Sequence, residues 1–89
     1  MYTHATKAND QGVFEIMLDG DVIADVLSLD NAESIVGYLN AGGCRLRSEH
    51  EHNTPAGMPI HRILNESDIV VARTSDYIDA EILIGHANR

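Results

Sequence analysis

Tryptophan is absent, phenylalanine occurs once and tyrosine three times, so any core must be built mainly from Ile, Val, Leu and Ala. A chain of 89 residues with that stock supports one small domain, burying roughly 60 to 65% of its unfolded surface, and leaves little for a deep ligand cavity. The single cysteine, Cys44, excludes an internal disulfide. Cations are scarce: six Lys and Arg against fourteen Asp and Glu give a formal charge of −8. Phosphate binding needs clustered cations, so bare nucleic acid and anionic membrane are excluded as partners, and a basic partner is favoured. No apolar run approaches the roughly 20 residues of a membrane span. The opening MYTHATKAND lacks the regions of a signal peptide, which places the expected compartment in the cytoplasm.

Chemistry-bearing motifs are missing too. There is no nucleophile elbow, phosphate-cradling glycine loop or zinc-protease helix, so the chain reads as a non-enzyme that needs no cofactor. Cys44 follows a predicted helix C-terminus, where the dipole disfavours a thiolate, and is expected to be buried and structural. His50 and His52 would share a face of an extended segment, with His61 near in sequence. A metal site needs three or four convergent ligands, however, and HEHNTPAGMP reads as a solvated loop, so metal binding ranks a distant third among the functions.

What is present begins after a polar stretch, residues 1–11, expected to be a flexible N-terminal arm ahead of a single α+β domain over 12–89. VFEIML and VIADVLS flank Asp19 and Gly20, a hairpin signal. A three-residue loop would place Phe14, Ile16, Val22, Ala24 and Val26 on one face, with Glu15, Ile23 and Asp25 on the other, and is preferred over a two-residue loop. Asp30 is the expected N-cap of a helix, with Glu33 completing a capping box. Ala32, Ile35, Val36 and Leu39 form its apolar stripe, and Asn40 to Gly43 its stop. CRLRSE predicts a strand with Cys44 and Leu46 inward; IHRIL fits either a short helix or a strand. DIVVART and the alternating DYIDAEILIG are read as strands, a helix ending at Gly85 being the rival for the second. No internal repeat is evident. The predicted fold class is α+β, a small antiparallel sheet with one main helix packed on one face, in the order ββαβ(α)ββ.

Glu15, Asp19, Asp21, Asp25, Asp30 and Glu33 are the candidate partner-binding residues, a stretch without a single Lys or Arg. Carboxylates two apart on a strand lie roughly 6.6 to 6.8 Å apart, comparable with the phosphate spacing of a nucleic-acid strand. Met17, Ile23 and Leu27 are expected beside them on the outer face, offering apolar contact.

The segment DNAESIVGYLN, preceded by the hairpin, resembles the hairpin-to-helix unit of a type I-F anti-CRISPR that acts as a DNA mimic, through Asp30, Ala32, Glu33, Ser34, Ile35, Gly37 and Tyr38. More faintly, ESDIVV at Glu66 to Val71 resembles a stretch of the phage uracil-DNA glycosylase inhibitor, another small acidic DNA mimic. The resemblance implies a phage or mobile-element inhibitor that blocks a basic nucleic-acid-binding groove of a host defence or repair complex, in the host cytoplasm. The acidic C-terminal helix of that anti-CRISPR has no counterpart in the sequence, and Arg45, Arg47, Arg62 and Arg73 dilute the charge, so a local acidic patch is the expected form. The alternative is an assembly module that forms a homodimer through an edge strand, either DIVVART or the terminal segment.

Overall fold

Two positive-φ residues, Asp19 (φ 52°) and Gly20 (φ 91°), make the left-handed pair that a two-residue hairpin turn requires. They join strand β2 (Phe14–Leu18) to β3 (Asp21–Val26), with a short strand β1 (Tyr2–His4) paired to the other edge of β2. The computed structural model describes residues 1–88. The turn pairs Leu18 with Asp21, the register set aside from sequence, but an extra residue in β3 at Ile23 shifts the pairing by one. Beyond this bulge Ile16 faces Ala24 and Phe14 faces Val26, as the three-residue loop would give. Ile16, Ala24 and Val26 are buried accordingly, whereas Val22, on the turn side of the bulge, is 53% exposed, contrary to expectation. The first residues of the predicted arm are thus held by strand pairing.

Helix α1 (Leu29–Asn40) buries Ala32, Ile35 and Leu39 at helical spacing. Its N-cap is Ser28, not Asp30: the chain is still extended at Ser28, and Ser28 Oγ accepts from the Asn31 N–H at 3.2 Å. Asp30 falls in the first turn, where the helix dipole favours a carboxylate. The helix ends as predicted. Gly42 (φ 82°) sends its N–H to the Leu39 carbonyl, and Gly43 sends its own to that of Tyr38, a paired closure that needs a left-handed residue.

The second half corrects several expectations. Strand β4 (Arg47–Asn53) starts after CRL, so Leu46 is buried as expected but Cys44 is exposed. His50 to Asn53 belong to β4 and not to a loop, and IHRIL lies in strand β5 (Pro59–Leu64). DIVVART supplies β6 (Val70–Thr74), as predicted. The terminal segment is helix α2 (Tyr77–Ala87), capped by Asp76, whose side chain accepts from the Ile78 N–H. Its buried residues are Ala80, Leu83 and Ala87; two are small, while Ile78 is 64% exposed, so hydrophobicity alternates along a segment whose packing does not. Of the two edges nominated for homodimer pairing, the terminal one is a helix, whereas β6 does lie at the edge of its sheet, with one bond from the Leu27 N–H to the Arg73 carbonyl at 3.0 Å.

The architecture is α+β, with its strands divided between two three-stranded antiparallel sheets, β1-β2-β3 and β4-β5-β6, each followed by a helix. The halves are duplicates. Shifting by 48 positions aligns Val22, Ala24, Ala32, Glu33, Gly37 and Asn40 with Val70, Ala72, Ala80, Glu81, Gly85 and Asn88. The bulge at Ile23 recurs at Val71, and the caps Ser28 and Asp76 correspond. Asn40 clamps both backbone groups of Tyr2, at 2.9 and 2.8 Å, and Asn88 does the same to Leu46, both bonds at 2.8 Å. The strand-connecting loops hide the duplication because they differ in length. Each helix packs on the other half's third strand, α1 on β6 and α2 on β3. One hydrophobic cluster, from Ile16 to Ala87, consequently spans both halves.

Candidate functional site

The six acids selected from sequence fall into three places. Asp19 and Asp21 sit at the hairpin turn; Asp19 Oδ1 is 2.8 Å from the N-terminal ammonium. Glu15 and Asp25 are direct cross-strand partners on β2 and β3. Asp30 and Glu33 are exposed on α1. Glu15 and Asp25 are half-buried, and Met17, Ile23 and Leu27 are also half-buried instead of exposed, with Ile23 packed against the core.

Sequence reasoning missed the acids that α2 brings to this group. Asp76 at its cap and Asp79 in its first turn join Asp25 in lining a cleft of about 470 Å³. Reading the segment as a strand hid them, although Asp76 in the N-cap position was a usable signal. Desolvation, then the charges of Asp25 and Asp76, raise the Asp79 carboxyl to about 6, against a smaller opposing hydrogen bond from the Asp25 backbone. Asp25 is raised by desolvation first, then by Glu15 and Asp76. Asp25 Oδ1 is shielded from solvent and has no hydrogen-bond partner among the described residues.

The other sheet is charged differently. Cross-strand partners Arg62 and Arg73 occupy the positions that Glu15 and Asp25 hold in the first half. Their counter-charges come from β4: Glu49 Oε1 accepts from Arg62 at 2.7 Å, and Glu51 Oε1 from Arg73 at 3.0 Å. Arg47 lies 3.6 Å from Glu49 and bonds Asp68. Among the described residues, no salt bridge reaches Glu15, Asp21, Asp25, Asp30 or Glu33. Residues 1–44 hold seven acids and one lysine, and residues 45–89 seven acids and five arginines.

The histidines are spoken for by different neighbours. His50 stacks edge-on against His61 and contacts Asn53 Oδ1 at 2.7 Å, while His52 Nδ1 lies 3.2 Å from Glu51. Among the described residues no group of three or more His, Cys, Asp or Glu is placed to hold a metal ion, and no helix is long and apolar enough to cross a membrane. No protein-family model matches the chain, and neither a curated protein nor a solved structure does.

Proposed function

We propose that this chain is a non-catalytic, anti-CRISPR-like inhibitor from a phage or mobile element. Its acidic first half docks in a basic nucleic-acid-binding groove of a host defence or repair complex in the cytoplasm. The supporting observation is the contrast between the sheets: the arginine pair of the second is neutralised within the chain, and the acidic pair of the first is not. Carboxylates without internal counter-ions favour an external cation and steer its approach.

The test is affinity capture from a bacterial lysate at low and high salt, with duplex DNA as competitor. The expected result is retention of a nucleic-acid-binding protein that DNA displaces, salt weakens and charge reversal of Asp21 and Asp30 diminishes. Capture indifferent to salt, DNA and charge reversal would overturn the reading.

A further inference from the structure

The cleft between the halves combines charge with apolar surface. Val13, Leu27 and Met58 line it beside Asp25, Asp76 and Asp79, and Met58 is 50% exposed. Ile78, in the turn that carries Asp76 and Asp79, is more exposed still. Exposed apolar side chains beside a concave acidic wall suit an amphipathic cationic partner, since an apolar ligand alone would leave the carboxylates desolvated and unpaired.

The duplication provides an internal reference for the missing charge. In the second half, strand β4 sends Glu49 and Glu51 to the Arg62 and Arg73 pair. In the first half β1 carries no Lys or Arg, and the Glu15 and Asp25 pair stays bare, with Asp25 Oδ1 buried and unbonded. Among the described residues, no salt bridge supplies in the first half the counter-charge that β4 supplies in the second.

We infer that this cleft receives an arginine side chain of the partner protein, its guanidinium set against Asp25, Asp76 and Asp79 and its apolar neighbours against Met58, Leu27 and Ile78. Arginine fits because its planar fork engages two carboxylates at once and stays charged when desolvated. This rests on the basic-groove reading above and names the anchor within it.

The test uses the full chain, ¹⁵N-labelled, titrated near physiological salt with a blocked octapeptide alternating Leu and Arg. A Ser and Arg octapeptide of equal charge is the control. The Leu and Arg peptide should shift the amides of Val13, Leu27, Met58 and Asp76 and bind more tightly than the control. Combining Asp25→Asn with Asp76→Asn should weaken it about ten-fold, equal to the loss of one charge-assisted hydrogen bond. Asn is isosteric and an equally good helix cap, so a melting temperature no lower than that of the parent chain will show that the double variant is folded. Glu66→Gln with Asp68→Asn, exposed carboxylates outside the cleft, should leave affinity within about two-fold. Shifts confined to the Asp19 to Asp21 turn and α1 would overturn the inference and leave the acidic-surface reading standing. Failure of both peptides to bind anywhere would overturn the two together.

Discussion

Two copies of one βββα plan have kept their packing and exchanged their charge. Corresponding positions still hold a buried alanine in the third strand, Ala24 and Ala72, and a buried first helical turn, Ala32 and Ala80. On the polar face Asp25 faces Glu15 where Arg73 faces Arg62. A like-charged cross-strand pair is destabilising unless screened or neutralised. The second half supplies neutralising glutamates, whereas the first crowds its acids further, with Asp76 and Asp79 adding to Asp25. The copies thus share core alanines and the asparagine clamps, and differ in charge on the paired polar face.

If both helices serve one core, truncating either should unfold the whole. Ile35→Ala and Leu83→Ala are each expected to cost about 2 to 5 kcal/mol, in single cooperative transitions by urea denaturation. Two transitions, or loss of only one helix, would break the comparison. The asparagine clamps should come next. Asn88→Ala is expected to lose about 1 to 3 kcal/mol and Asn40→Ala less, because the Leu46 bonds are partly buried and the Tyr2 bonds exposed.

The charged faces differ in their response to pH. Asp79 is raised to about 6 when folded, against an ordinary value near 3.9, so folding favours its protonated form. Its contribution is fully present below about pH 3.9 and is lost as pH rises through about 6. Asp79→Asn is accordingly expected to stabilise at pH 7, on the order of 1 kcal/mol after discounting for solvent screening, and to do nothing at pH 4. Thermal melts at the two pH values check this. The smallest effect concerns Gly37 and Gly85, equivalent helix-interior glycines with open space where a Cβ would sit. Alanine at either should add up to about 1 kcal/mol. By contrast Gly43→Ala should destabilise, since its Cβ would stand 2.3 Å from the Tyr38 ring.

Elements whose side-chain size and pattern agree were legible. Ile16, Ala24 and Val26 alternate and are buried, and Ala32, Ile35 and Leu39 follow a helical period. Where they conflict, reading failed. In α2 the small residues Ala80 and Ala87 are buried and Ile78 is exposed, so alternation suggested a strand. That error concealed two of the three acids of the cleft, because Asp79 approaches Asp25 only from a helix. The bulge at Ile23 also left no local mark, since its cause is the misfit between a two-residue turn and the apolar face beyond it. The duplication was available from Gly37 with Gly85 and Asn40 with Asn88, but unequal loops shift the strands out of step.

The connection from Ala41 to Leu46 has a consequence beyond joining α1 to β4. Helices that cross onto the opposite half suit two separate subunits, and for those, stability would depend on protein concentration. A short tether converts that encounter into an intramolecular one at an effective concentration in the millimolar range. A symmetric pair of identical chains must also carry every substitution twice, so an acidic face on one subunit obliges the same face on the other. Joined in tandem, the two copies are released from that obligation.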